Sequence, residues 1–172
     1  MSSRIGWFVL GIVATLVGIV VGGYLFIRAG GARMETSAKP LPLEQKIAGL
    51  ALRASLGNAR DEKNPLQVDE TNLLVAADLY SEHCSMCHGI PGRPPSFISK
   101  GMFPQPPQLF EKDDMVTGNP EGITFWIVTH GIRLSGMPGF GKTLTTTQRW
   151  QLTMLVSRAD KLPPPVRKAL NP

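Results

Sequence analysis

Two cysteines and a histidine lie within five residues of one another in the stretch CSMCHG, residues 84–89. Cys84 and Cys87 are the only cysteines in the chain, and His88 directly follows the second. Thiolate sulfur and imidazole nitrogen bind transition metals, and paired thiols also form disulfides or attach cofactors. The spacing therefore indicates a metal site, a redox-active disulfide or a covalently held cofactor.

Three interpretations of this motif compete. A structural zinc site needs four ligands, usually as two close pairs, whereas this chain has one pair and two scattered histidines, His83 and His130. A redox disulfide of the CxxC type usually follows a strand in a βαβ unit, and no strand alternation is evident. The third interpretation is covalent haem attachment, in which both thiols join the haem and the adjacent His88 binds its iron. The motif is short, and an export segment and a second iron ligand would strengthen it.

Met137, in the stretch LSGMPGFG, is the expected second iron ligand. Pro138 has a fixed φ and stiffens the segment that presents the thioether, while Gly136 and Gly139 allow close approach of the backbone. Met86, between the two cysteines, is sterically unsuited to reach the iron. The rival ligands are Met102, Met115 and His130.

The N-terminal segment 5–27 contains 23 residues without a charge. As a helix it spans roughly 35 Å, enough to cross a hydrocarbon core of about 30 Å. A cleaved signal peptide is the alternative, but its apolar region is normally shorter, ~7–15 residues. We therefore predict an uncleaved anchor preceded by a short tail, residues 1–4. Small residues at four-residue spacing could pack against a partner helix: Ala14, Gly18 and Gly22.

Residues 28–70 are predicted to form a tether and residues 71–172 the compact domain. Within the tether, residues 43–56 form either a short helix that lies on the domain or the membrane surface, or a marginal helix in a mobile linker. In the first helix of that domain one buried stripe is expected, formed by Leu73, Ala76, Ala77, Tyr80 and Cys84. The net charge is +5, but no basic run interleaves with aromatic residues, so nothing indicates nucleic-acid binding.

Two further helices are indicated by their starting residues. Asn119 is expected to cap one helix, with Pro120 as its first residue and an end at Gly131. Thr145 and Gln148 form a capping box that starts the other, which is expected to end before the prolines at 163–165. The loop 89–118 is rich in glycine and proline and is too long for an ordinary connection. It is plausible if it wraps a large group that completes the core.

The chain resembles the class I c-type cytochromes, specifically the membrane-anchored bacterial kind with one haem. The resemblance covers about 71–161 and is carried by CSMCHG, FWIVTHGIRLSGMPGF and RWQLTMLV. It implies an all-α fold, with three to five short helices wrapped round one covalently bound haem, plus an N-terminal transmembrane helix. It also implies that Ala76 and Tyr80 meet the C-terminal helix where the two helices cross.

The resemblance further implies haem c with its iron, attached through Cys84 and Cys87, with His88 and Met137 as axial ligands. Pro107 is the expected carbonyl partner of the His88 ring. The domain would lie in the periplasm, held by a single-pass anchor in the bacterial inner membrane. This overrides the basic residues after the anchor, which by themselves favour the opposite orientation.

One-electron transfer is the function that this ligation implies. The expected partners are membrane redox enzymes or other electron-transfer proteins, which the chain would serve as a carrier or as a subunit of a respiratory or dehydrogenase complex. The alternative is a haem enzyme or gas-sensing domain with an open or labile sixth site.

Overall fold

The computed structural model describes residues 2–171, and its regular secondary structure is helical. Within that range there is no extended strand, only an isolated antiparallel bridge between Ile132 and Met137. Its α-helices are α1 (Ser2–Arg28), α2 (Glu44–Ser55), α3 (Glu70–His83), α4 (Ser85–His88), α5 (Phe97–Gly101), α6 (Glu121–His130), α7 (Thr146–Val156) and α8 (Pro164–Ala169). Short 3₁₀ turns lie at Ala59–Asp61 and Ala159–Lys161.

Helix α1 contains the predicted anchor. Its part Arg4–Arg28 is long and apolar enough to cross a membrane, judged by length and composition. None of the most apolar stretch is buried within the protein. The predicted tail 1–4 includes Met1 and the predicted last domain includes Pro172, and both residues lie outside the described range.

The chain divides into two compact units, and the second begins at Leu43. Much of the predicted tether thus belongs to the second unit. Ala59 is buried, and the Asn64 side-chain amide donates to the Trp150 carbonyl over 3.2 Å. The exposed helix α2 has no buried residue. Contacts after α2 therefore help to hold this segment to the domain.

The core of the second unit forms where α3 packs against α7 and α8. The stripe predicted on α3 is confirmed: its first four members are buried, and Cys84 continues it as a half-buried residue. Ala76 and Tyr80 are completely inaccessible. On the opposite side, α7 buries every residue from Trp150 to Val156. Ala76, a small and fully buried residue, allows α3 to approach its neighbours closely.

The helix boundaries agree with the sequence in part. The capping box of Thr145 and Gln148 is present and starts α7. Pro120, expected as the first residue of α6, is instead its N-cap. The prolines at 163–165 predict only the end of a helix, but they also start α8, because proline suits the first turn of a helix. The 89–118 loop contains the short helix α5, which was not predicted.

Candidate functional site

Cys84, Cys87 and His88 occupy one turn of the chain. The Cys84 carbonyl accepts hydrogen bonds from the backbone N–H groups of Cys87 (3.1 Å) and His88 (2.9 Å). Positions i, i+3 and i+4 share one face of a helix, so the three side chains are grouped together. Gly89, with a φ of 72°, ends this turn in a conformation that favours glycine.

The His88 ring is held by a backbone carbonyl. Its Nδ1 lies 2.9 Å from the Pro107 oxygen. Burial lowers the pKa of His88, while the bond to Pro107 opposes that shift. A neutral ring that donates Nδ1–H to the carbonyl keeps its Nε2 lone pair for a metal ion. The bond to Pro107 therefore orients the ring, and burial favours the neutral form that metal binding requires.

Residues 106–109 clamp the whole turn and not only the ring. The Leu109 N–H donates to the His88 carbonyl over 3.2 Å. The Gln108 side chain, only 7% exposed, places its Nε2 3.1 Å from the Cys87 carbonyl and 2.9 Å from Ser99 Oγ. Sequence reasoning missed Gln108, because its partners are distant along the chain and no local pattern marks the residue.

The other side of the turn is fixed by Tyr80. Its hydroxyl donates to the Gly89 carbonyl over 2.8 Å. Burial, with smaller contributions from the two cysteines, raises the pKa of Tyr80 far above its usual value near 10. Burial also raises the pKa of the Cys84 thiol to about 12, with a further contribution from Cys87. The turn therefore lies between two elements, α3 and the 106–109 segment.

Met137 lies on a separate loop that is fastened to the end of α6 through its backbone. The Ile132 N–H donates to the Met137 carbonyl over 3.1 Å, and the Phe140 N–H donates to the Val128 carbonyl over 2.9 Å. A Cβ on Gly131 would lie 2.5 Å from the Met137 oxygen, so only glycine allows this approach.

This loop also reaches the elements around the cysteine turn. The Phe140 ring lies 5.9 Å from the His83 ring at the end of α3. A Cβ on Gly136 would lie 2.5 Å from Met102 Cε, which places that rival methionine beside the loop. His130, another rival, is exposed, with its Nδ1 3.0 Å from the Trp126 carbonyl of its own helix.

The donor set fits a covalently attached haem. Both cysteines are free of disulfides, they share a turn with a neutral imidazole, and a thioether is presented by a separate loop. Within residues 2–171, no group of three or more Cys, His, Asp or Glu side chains converges as a metal cluster. Haem c, when attached, supplies an iron that cycles between ferric and ferrous states.

Comparison with known families agrees with this chemistry. Residues 72–154 match the family model described as cytochrome C oxidase, cbb3-type, subunit III. No curated protein matches the chain. The matched residues include the cysteine turn, the Met137 loop and most of α7. They indicate haem-based electron transfer rather than catalysis. The chain therefore contains an all-α c-type cytochrome domain of class I fold, with haem c as its covalently bound cofactor.

Proposed function

We propose that the protein is a one-electron carrier whose haem is attached through Cys84 and Cys87 and ligated by His88 and Met137. The observation that carries the proposal is the His88 Nδ1 contact with Pro107 at 2.9 Å, on the same turn as both thiols. That contact leaves the Nε2 lone pair free to bind a metal ion. The Met137 loop supplies the second ligand from an independent, backbone-fastened element.

With His88 and Met137 as its two protein ligands, the haem iron would have no open position for a substrate. A thioether ligand favours the ferrous state and raises the reduction potential. The backbone bonds of both ligand-bearing segments keep the two donor atoms in place when the iron changes its oxidation state. The residues therefore favour rapid electron exchange and oppose substrate chemistry at the iron.

The surface around the ligand-bearing segments suits brief contacts with other redox proteins. Three large apolar side chains are exposed there: Met86 (63%), Phe97 (85%) and Leu134 (92%). The chain segments that carry Met86 and Phe97 are joined by a hydrogen bond, because Ser96 Oγ donates to the Met86 carbonyl over 2.6 Å. Electrons would pass through the haem edge near the thioethers to membrane redox enzymes or other electron-transfer proteins.

Residues 5–27 serve as a single-pass anchor in the bacterial inner membrane, with residues 1–4 in the cytoplasm and residues 28–172 in the periplasm. An anchored domain meets membrane enzymes at a high effective concentration. The small-residue face of the anchor would allow a partner helix, which would make the protein a subunit of a respiratory or dehydrogenase complex. Co-purification of a partner from gently solubilised membranes, as opposed to a monomer, tests that assembly.

The ligation is tested by absorption spectra of the oxidised and reduced protein, combined with a pyridine haemochrome assay. We expect a two-thioether haem and a sulfur-to-iron charge-transfer band that is lost in Met137→Ala. Met102→Ala is the matched control and should keep the band. If wild type lacks the band and the reduced protein binds CO readily, the sixth site is open and the carrier proposal fails in favour of a haem enzyme or sensor.

A further inference from the structure

The peptide group between Pro107 and Gln108 joins the His88 ring to a carboxylate. Its carbonyl oxygen lies 2.9 Å from His88 Nδ1. Its N–H, contributed by Gln108, donates to Asp114 Oδ2 over 2.8 Å. A peptide group is a single conjugated unit, so the two hydrogen bonds act on the same delocalised electrons. The two hydrogen bonds therefore form a chain that runs from the Asp114 carboxylate through the 107–108 peptide group to the His88 imidazole.

A carboxylate bound to the N–H end increases the negative charge at the carbonyl end. Hydrogen bonds in a chain polarise one another, and a bond with an ionised partner is roughly twice as strong as a neutral one. The Pro107 oxygen is thereby a stronger acceptor for the Nδ1–H of His88. A stronger acceptor makes the imidazole a more basic ligand, and a more basic ligand favours ferric iron.

We propose that Asp114 is a positioning residue that lowers the haem reduction potential through the 107–108 peptide group. The proposal rests on the ligation of iron by His88 proposed above. It adds an influence on the potential that opposes that of Met137. Among the described residues, no hydrogen bond or ion pair joins Asp114 directly to the His88 ring, so its action depends on the intervening peptide group.

The local structure keeps this peptide group in place. The Gln108 side chain is buried and bonded to Cys87 and Ser99, which fixes the position of the donating N–H. Between Gln108 and Asp114 the chain makes two successive turns, with Glu111 N–H donating to the Gln108 carbonyl (2.8 Å) and Asp114 N–H donating to the Glu111 carbonyl (3.0 Å). These turns return the carboxylate to the N–H.

Asp114→Asn removes the charge but retains a side-chain oxygen that can accept from the Gln108 N–H. Asp113→Asn is the matched control, because Asp113 is the adjacent exposed aspartate. In the described part of the chain, no side-chain hydrogen bond or ion pair of Asp113 is present. Both variants remove one negative charge in nearly the same place. The difference between them therefore isolates the effect transmitted through the bond.

The potentials of the full-length holoprotein and both variants are measured in detergent by spectroelectrochemistry. We expect Asp114→Asn to raise the equilibrium constant for haem reduction about three- to tenfold, up to about 59 mV for one electron. Asp113→Asn should raise the reduction potential by less than half of the shift seen in Asp114→Asn. Equal shifts in the two variants, or no shift in Asp114→Asn, would refute a role for the peptide group.

The charge-transfer band separates this proposal from the proposed ligation. Unshifted or equal potentials with the band present would overturn the role of Asp114 and leave the ligation standing. A wild type without the band would overturn both. If Asp114→Asn does not fold, amide exchange in wild type provides a second test. Slow exchange of the Gln108 N–H relative to that of Asp113 supports the bond, and equal exchange of the two overturns it.

Discussion

Replacement of Gln108 by leucine should destabilise the protein far more than loss of a single hydrogen bond. The side chain is almost fully buried, and its Nε2 lies within 3.1 Å of three acceptors: the Cys87 carbonyl, Ser99 Oγ and the Pro106 carbonyl. An amide nitrogen has two protons, so two of these contacts are full bonds and the third shares a proton. Leucine retains much of the volume but none of the donors.

The magnitude follows from the two lost bonds and the acceptors that they leave behind. Each net bond contributes about 1 kcal/mol, and a buried acceptor without a partner costs about 1–3 kcal/mol. With two lost bonds and one buried acceptor left unpaired, we expect Gln108→Leu to reduce the free energy of unfolding by about 3–5 kcal/mol. Gln151→Leu is the matched control. Gln151 is buried to a similar degree, but its Nε2 donates to Asn72 Oδ1 (2.9 Å), the one side-chain bond found for it within residues 2–171.

Guanidinium unfolding of the holoprotein, followed by far-UV circular dichroism, measures both free energies. The control should lose about 1 kcal/mol. Since Gln108 spans the cysteine turn, α5 and the 106–109 segment, its loss should also broaden the NMR signals of these elements in the folded state. If Gln108→Leu reduces the free energy of unfolding no more than Gln151→Leu does, the hydrogen bonds of Gln108 do not hold the cysteine turn in place and this prediction is wrong.

Three more outcomes are expected. Tyr80→Phe should reduce the free energy of unfolding by about 1 kcal/mol at pH 7. Burial raises the pKa of Tyr80 in the folded protein, so the tyrosine ionises first in the unfolded chain. The free energy of unfolding of wild type therefore falls above about pH 10. In urea titrations, the difference in the free energy of unfolding between wild type and Tyr80→Phe should then become smaller between pH 10 and 11. A difference that stays constant would contradict this. Gly122→Ala should lower the melting temperature although alanine favours helices, because its Cβ would lie 1.9 Å from the Ala59 carbonyl oxygen. Gly118→Ala is the control and should change the melting temperature little, because the space around Gly118 is open. Equal melting temperatures of the two variants would refute the clash. Arg158→Met should reduce the free energy of unfolding by about 1–2 kcal/mol, because the ion pair of Arg158 with Glu121 is about three-quarters buried. This loss of stability should become smaller in high salt. A loss that does not depend on salt would show that packing alone is responsible.

Local signals in the sequence predicted the elements that carry the site. The stripe on α3 and the capping box of Thr145 each depend on residues a few positions apart, and both are present. Helix α8 was missed because three consecutive prolines indicate a stop more strongly than a start. Its burial of Val166 and Leu170 against the core is a tertiary effect that compensates for a short helix.

The clamp around the cysteine turn could be predicted only in part. Pro107 was expected as the partner of His88 from the family resemblance, and its carbonyl does lie within hydrogen-bond distance of the ring. The roles of Gln108 and Asp114 could not be predicted, because each depends on how an irregular loop folds back. Loop residues lack a periodicity that would mark one side as buried. The axial ligation itself stays a prediction until spectra are recorded.

The Met137 loop is attached to α6 by main-chain atoms, and this has a consequence for substitutions at its tip. Backbone bonds from Ile132 and Phe140, together with the close approach at Gly131, set the path of the loop without help from outward-facing side chains. Leu134, at the tip, is almost fully exposed. Its side chain takes no part in those bonds, so any residue that tolerates its φ of 64° can replace leucine without changing the path of the loop. Changes at the tip therefore alter the exposed surface of the loop and leave intact the backbone bonds that position Met137.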